Sequence, residues 1–286
     1  MSRSLTLSLT LLAMIAFAGN SLLCRLALQQ TTIDPASFTA IRIVSGALTL
    51  WLIVRLRSSR HDAAGSWPSA LALFAYAAAF SYAYVSLPAA TGALLLFGAV
   101  QATMLGYGLW AGERFRLRQS AGLALALGGL VGLLLPGLSA PPLAGALLML
   151  GAGVAWGIYS LRGKGTGDAT SVTAGNFLRA VPLGVLLALA ALPWHSLDLP
   201  GFWYAIASGA LASGVGYAIW YTALRGLKAT SAATVQLSVP VITAVGGIVF
   251  LGETISLRLL ITSAAILGGI ALVVIDNQPA RPASAR

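Results

Sequence analysis

The strongest constraint on this 286-residue chain is an internal repeat, because its second half follows the first at an offset of 140 residues. The pair Gly112-Glu113 recurs as Gly252-Glu253, and a Gly-Gly pair at 128–129 recurs at 268–269. Both copies consist of apolar stretches long enough to form helices. A long repeat of apolar helices is typical of membrane transporters, which hold their substrate between two halves.

Composition places these stretches in a membrane. The chain is 58% hydrophobic and 8% charged, with a mean hydropathy of +0.88, whereas about a quarter of the residues of a soluble domain are charged. A helix needs about 20 apolar residues to cross the hydrocarbon core of a bilayer. We predict ten such helices, at residues 5–27, 36–54, 69–87, 89–111, 118–136, 142–161, 171–193, 201–223, 229–251 and 258–275.

The expected fold is therefore an all-α polytopic membrane protein with ten transmembrane helices in two inverted five-helix repeats. Residues 1–138 form the first repeat, residues 139–286 form the second, and together they make one membrane domain. Because five is an odd number, the second copy must enter the membrane in the opposite orientation. The long apolar run after the basic start at Arg3 favours a retained first helix over a cleaved signal peptide.

The net charge of +10 follows the positive-inside rule. With a cytoplasmic N-terminus, only Arg25 and Arg258 fall outside, and Arg42 and Arg179 lie within spans. The other basic residues then all lie on the cytoplasmic side: Arg3, Arg55, Arg57, Arg60, Arg114, Arg116, Arg118, Arg162, Lys164, Arg225, Lys228, Arg281 and Arg286. We therefore predict a bacterial-type inner (plasma) membrane protein with both termini cytoplasmic, which contacts the lipid bilayer and no nucleic acid.

Several short motifs occur in an order and at a spacing that are typical of one family of transporters. They are Arg42 near the start of the second span, Gly112-Glu113 after the fourth, and Pro240 with Gly252-Glu253 in and after the ninth. In these motifs and in its helix pattern the chain resembles the drug/metabolite transporter superfamily, its EamA-like branch, and most closely the aromatic amino-acid exporters. The resemblance implies alternating access and export of small metabolites, with amino acids favoured. One departure is Val100, where the family often has a proline.

Acidic residues are placed only at predicted helix ends or in loops: Asp34, Asp62, Glu113, Asp168, Asp198, Glu253 and Asp276. A charge buried in a membrane is costly and usually functional, and a proton-driven carrier usually needs such a group near its pathway. We therefore expect facilitated transport or exchange without strong proton coupling.

Arg42 and Arg179 occupy equivalent positions within spans two and seven. One interpretation is that each binds a substrate carboxylate. The other is that each pairs helices or extends its side chain to the membrane interface. Their equivalence in the two repeats favours the structural interpretation.

Polar and aromatic side chains in mid-span are the candidate substrate contacts, because a polar group facing lipid would lose its hydrogen bonds. Trp156, Tyr159 and Ser160 share one face of a helix at spacing i, i+3, i+4. The full predicted set is Asn20, Tyr82, Gln101, Trp156, Tyr159, Ser160, Asn176, Tyr217 and Gln236. For most of these residues, ordinary helix packing is the competing interpretation.

Glycines predict close helix packing. Gly128 and Gly268, at equivalent places in the two repeats, are expected at close helix contacts. The glycine-rich segment 163–167 does not have the spacing of a phosphate-binding loop.

The sequence contains no metal-site or catalytic motif within its spans, so we expect neither an enzyme nor a cofactor. Cys24 is the single cysteine, which excludes an internal disulfide. The leading prediction is a carrier for a small-molecule substrate, most plausibly an amino acid. The alternatives are an exporter of another small metabolite or drug, or a passive channel. A monomer would be sufficient, and the sequence does not fix the oligomeric state.

Overall fold

The computed structural model describes residues 2–57, 65–112, 116–137, 140–163, 168–227, 232 and 235–276. Ten long helices run through these residues, which confirms the predicted number. They are α1 (Arg3–Gln30), α2 (Pro35–Leu56), α3 (Trp67–Tyr84), α4 (Ala89–Trp110), α5 (Leu117–Leu134), α6 (Leu143–Arg162), α7 (Ala169–Ala190), α8 (Leu199–Leu224), α9 (Ser238–Leu251) and α10 (Leu257–Asp276).

Eight of these helices are long and apolar enough to cross a membrane by length and composition alone. The other two are α3, with 18 residues, and α9, with 14. The predicted span 229–251 begins partly outside the described residues. The following residues of the charge argument also lie outside them: Arg60, Asp62, Glu113, Arg114, Lys164, Lys228, Arg281 and Arg286.

Three of the predicted helix-end acids are N-caps. Asp34, Asp168 and Asp198 accept backbone N–H bonds at the starts of α2, α7 and α8, where a helix leaves its first donors unpaired. Partial burial alone would raise the pKa of Asp34. Hydrogen bonds from Ser37, Ser196 and Ala36 outweigh that effect, and the pKa of Asp34 is lowered.

The contacts between helices repeat when the two halves are exchanged. Helix α3 packs on α6, and its repeat equivalent α8 packs on α1. Helix α4 also packs on α6, and its repeat equivalent α9 packs on α1. In the same way α2 packs on α8 as α7 packs on α3, while α5 pairs with α10. The repeats are therefore interleaved, and each helix of the core contacts the opposite half.

The helix α8 contains a π-helical segment at Ala207–Val215. Its small residues let α8 approach α2 closely, and a Cβ added at Gly209 would collide with the backbone carbonyl of Arg42. Such wide turns are often found at functional sites, and this one lies beside the buried arginine described below.

The glycine prediction is wrong by one residue in each repeat. A Cβ added at Gly128 or Gly268 would meet nothing within 4 Å. The close contact between α5 and α10 is made instead by the neighbouring glycines. A Cβ at Gly129 would lie 2.9 Å from the Ala265 Cβ, and one at Gly269 would meet the backbone of α5.

Candidate substrate cavity

A cavity of about 690 Å³ lies between the two repeats. It is lined by residues of α1, α3, α4, α6, α7 and α8 and by Ala232 and Gln236 before α9. At one end it reaches Ser66 before α3, Arg162 at the end of α6, and Leu224 at the end of α8. All three residues lie on the side of the bundle where α1 begins. In the described parts of the chain, no lining residue comes from the opposite end.

Eight of the nine predicted contact residues lie on the wall of this cavity: Asn20, Gln101, Trp156, Tyr159, Ser160, Asn176, Tyr217 and Gln236. Tyr82 lies apart from them, because it is 37% exposed on the outer side of α3 and is not among the lining residues. The structure therefore brings eight of these side chains together, and their contact with a substrate stays a prediction.

Trp156 is the centre of an aromatic cluster. Its ring stacks on Tyr159 at a centroid distance of 5.2 Å and on Tyr217 at 5.4 Å. The ring of Tyr76 lies 4.8 Å away, tilted by 47°. The spacing of Trp156 and Tyr159 along α6 places both on the cavity face, and Tyr217 comes from α8 of the same repeat.

Hydrogen bonds hold the polar members of the wall. Asn20 donates to the Tyr76 hydroxyl at 3.2 Å and accepts from the Ser208 hydroxyl at 2.7 Å. Asn176 donates to the Tyr159 hydroxyl at 3.3 Å and accepts from the Ser66 backbone N–H at 2.9 Å. Both amides therefore join helices as well as lining the cavity.

Of the two structural interpretations of Arg42, extension of its side chain to the interface is wrong, whereas pairing of helices agrees with its contact from α2 to Tyr76 of α3. Arg42 is 2% exposed, and its Nη2 donates to the Tyr76 hydroxyl at 3.0 Å. Its guanidinium lies 4.8 Å from the centre of the Phe80 ring. Arg179 is half-buried and donates to the carbonyl of Gly175. Residues that are equivalent in the repeat therefore have different surroundings.

The end of the bundle opposite the cavity mouth is joined by a network across the repeats. Arg25 Nε lies 3.4 Å from Glu253 Oε1, and Arg25 Nη1 donates to the carbonyl of Tyr84 at 2.9 Å. The two carboxylate oxygens of Glu253 accept from the backbone N–H of Ala89, the first residue of α4, at 3.0 and 2.9 Å. A carboxylate is stabilised at a helix N-terminus by its free N–H groups and dipole.

Sequence reasoning did not select three residues of this arrangement. Tyr76 is spaced with Phe80 and Tyr84 along one face of α3, a pattern typical of ordinary packing. Ser213, which also lines the cavity, is one small residue in a Gly- and Ala-rich helix, and Arg25 lies near the end of a span as many basic residues do. The repeat offered one usable signal, because Glu253 belongs to the recurring Gly-Glu pair.

Interleaved repeats of apolar helices around a central cavity are typical of membrane transporters. A profile of the EamA-like transporter family matches residues 4–135 and again residues 143–275. The chain therefore belongs to the EamA-like transporter family, within the drug/metabolite transporter superfamily.

Several known proteins are similar to this chain. The uncharacterized protein PA1977 of Pseudomonas aeruginosa is 59% identical over 94% of both chains. The threonine/homoserine exporter RhtA of Escherichia coli strain K12 is 34% identical over 44% of this chain and 43% of its own length. A solved crystal structure with 20% identity covers 96% of this chain and 98% of the other, with a TM-score of 0.65. The last similarity supports the fold alone.

Proposed function

We propose that this protein is a carrier that exports small metabolites, namely amino acids including aromatic ones, across the bacterial inner membrane. The repeats at 1–138 and 139–286 would form one membrane domain and alternate access to the cavity between them. Both termini are proposed to be cytoplasmic, so that the cavity mouth faces the cytoplasm.

One observation carries this proposal. The cavity of about 690 Å³ reaches one end of the bundle, while Arg25 and Glu253 join the repeats at the other end. A carrier that binds its substrate from one side has this arrangement, whereas a passive channel would favour a path open at both ends. The alternating-access interpretation is therefore preferred over a channel.

The chemistry of the wall supports an amino-acid substrate. The cavity volume is within the usual range of about 300–1,000 Å³ for small-molecule sites, and its wall combines amides with the rings of Trp156, Tyr159 and Tyr217. RhtA, the partial relative, is named as an exporter of threonine and homoserine. The aromatic cluster suits larger side chains, including aromatic ones.

The charges of the wall support a carrier without strong proton coupling. The described lining residues include no aspartate, glutamate or histidine. A site of this kind offers no group that changes charge near neutral pH. The same observation disfavours a lipophilic cation as the substrate, because no carboxylate is available to neutralise it.

Counterflow in proteoliposomes tests the function. Purified protein should exchange labelled L-threonine, L-homoserine or L-phenylalanine for the unlabelled amino acid, with saturation and without an imposed proton gradient. Empty liposomes are the control for leak. Failure to exchange any amino acid of a full panel would contradict the proposal, and loss of exchange on adding a protonophore would contradict the uncoupled mechanism.

A further inference from the structure

We propose that the inner end of the cavity is a carboxylate-binding subsite built on Arg42 and Tyr76, and that the carrier selects its substrates by a carboxylate and not by an ammonium group. This inference rests on the proposed function and narrows it to a substrate class. It predicts that small carboxylates without an amino group are recognised, whereas amines of the same shape are not.

The first observation is a buried positive charge with an unused donor. Arg42 is 2% exposed, and its Nη1 has no hydrogen-bond partner. Within the described parts of the chain, the ion pair found is Arg25 with Glu253, and no carboxylate pairs with Arg42. A buried guanidinium without a counter-charge is costly, so an anion that reaches it is strongly favoured.

The second observation is how Arg42 is connected to the cavity. The Tyr76 hydroxyl accepts from Arg42 Nη2 at 3.0 Å and from Asn20 Nδ2 at 3.2 Å. Because both of these bonds are received, the hydroxyl keeps its own hydrogen to donate. Tyr76 lines the cavity, whereas Arg42 lies behind it and is not among the lining residues, so a substrate carboxylate meets this hydroxyl first and is attracted by the guanidinium behind the ring.

A further donor lies on the same wall. Ser213 lines the cavity from the π-helical segment of α8, is 1% exposed, and its hydroxyl has no partner. Burying a hydrogen-bond donor without an acceptor costs free energy, and a ligand that accepts its hydrogen bond removes that cost. Arg42 and Ser213 are two of the three buried side chains with an unpartnered polar atom in the described residues, the other being Thr243.

The described wall offers an ammonium group no opposite charge. The described lining residues contain no carboxylate, and Arg162 at the mouth adds a second positive charge. Several of the aromatic faces that attract cations are already engaged. Arg42 lies over Tyr76 and Phe80 at 5.2 and 4.8 Å, and Trp156 is stacked on both Tyr159 and Tyr217.

Ligand-induced thermal stabilisation of the purified wild-type protein tests the inference without any mutation, because a ligand that binds the folded state raises its Tm. The panel is L-phenylalanine, 3-phenylpropionate, 2-phenylethylamine and L-phenylalaninamide, with L-threonine, 3-hydroxybutyrate and 1-aminopropan-2-ol as a smaller set. We expect each carboxylate, with or without its amino group, to bind at least tenfold more tightly than the amine and the amide.

Variants locate the subsite. Arg42→Gln should weaken carboxylate binding about tenfold or more, since a charge-assisted hydrogen bond is lost, and should abolish the preference for acid over amide. Tyr76→Phe should weaken it by a smaller factor. Arg179→Gln removes the repeat-equivalent arginine, which is half-buried and whose Nη1 donates to the carbonyl of Gly175, a residue that does not line the described cavity, and is the matched control. Arg42→Lys tests whether charge alone suffices, if Arg42→Gln does not fold.

The outcomes separate this inference from the proposed function. Amino acids that exchange and bind no better than their amines overturn the subsite and leave the function standing. Carboxylates that bind while no amino acid is transported support the subsite and overturn the function. Absence of binding by every compound overturns both proposals. Equal loss of affinity in Arg42→Gln and Arg179→Gln overturns the subsite alone.

Discussion

Arg25 and Glu253 join the first repeat to the second across 228 positions of sequence, with 3.4 Å between Nε and Oε1. Their side chains are only 11% and 13% exposed, so water screens the pair less than a surface ion pair. Glu253 also binds the first N–H of α4, and Arg25 binds the carbonyl at the end of α3. The Arg25 guanidinium and the Glu253 carboxylate thus connect the end of α3, the start of α4 and the end of α9 on the side where the cavity is closed.

Neutralising this carboxylate should favour opening on that side. Cys24 is fully buried beside Arg25, so its rate of reaction with a thiol reagent reports the opening. We expect Glu253→Gln to speed the labelling of Cys24 by roughly three- to tenfold, because a part-buried charged contact contributes about 1 kcal/mol. Arg258→Gln, at the start of α10, is the control, and equal labelling of all three proteins would show that the pair does not restrain the closed side.

Removing the central ring of the aromatic cluster should impair transport. Trp156→Ala removes stacking with Tyr159 and Tyr217, worth about 0.5–1.5 kcal/mol for each ring pair, and we expect at least a tenfold loss of exchange activity. Trp203→Ala provides a matched control, because Trp203 is 58% exposed on α8. Exchange kinetics unchanged by Trp156→Ala for every substrate would assign this tryptophan to packing.

Adjacent glycines on α10 should differ sharply in their tolerance of a side chain. Gly269→Leu would drive its side chain into the backbone of α5, and overpacking typically costs about 1–3 kcal/mol. A Cβ at Gly268 meets no neighbour within 4 Å, so a side chain there starts in open space. Thermal unfolding in detergent should therefore show a clear fall in Tm for the first variant only. A similar Tm for both variants would mean that α5 and α10 pack in another register.

The proposed orientation can be tested with single cysteines on a Cys24→Ser background. A cysteine at Leu197, before α8, should react with an impermeant thiol reagent in whole cells. A cysteine at Arg57, after α2, should react only once the membrane is permeabilised. This follows from the excess of basic residues on the side of Arg57. The reverse labelling pattern would invert the topology.

The loop contact at Asp34 should give a pH-dependent stability. Asp34 accepts from Ser196 N–H at 3.2 Å as well as capping α2, and its pKa is below the usual 3.8. Because its pKa is lower in the folded state, the Asp34 carboxylate stabilises the fold at pH values above its pKa in the unfolded chain. That contribution is lost as the pH falls through its pKa in the folded state. The Tm difference between wild type and Asp34→Asn should therefore be largest near neutral pH and shrink below about pH 4. A difference that grows on acidification would contradict this.

Local periodicity explains what the sequence could predict. Apolar runs gave the ten helices, and the i, i+3, i+4 spacing of Trp156, Tyr159 and Ser160 gave the correct face of α6. The off-by-one error at Gly128 has a simple cause. Neighbouring residues differ by only 100° around a helix, so a Gly-Gly pair does not tell which glycine faces the partner.

Contacts that depend on the tertiary fold were beyond the sequence. No local sequence pattern indicates that Arg25 and Glu253 form an ion pair. The repeat predicted that Arg42 and Arg179 have the same role. The packing of Tyr76 and Phe80 over Arg42 alone breaks that equivalence. Tyr82, predicted as a substrate contact because it is an aromatic residue in mid-span, instead lies on the outer side of α3.

The lone charge of Arg42 has an electrical consequence. In the proposed uncoupled cycle, the charge that crosses the membrane is that of the substrate itself, because the described cavity wall includes no aspartate, glutamate or histidine to carry a proton in return. A zwitterionic amino acid has no net charge, so the membrane voltage does not drive its transport. An anionic carboxylate moves one charge, worth about 2.3 kcal/mol per 100 mV. In a cell with a negative interior, that voltage alone would drive such anions outward.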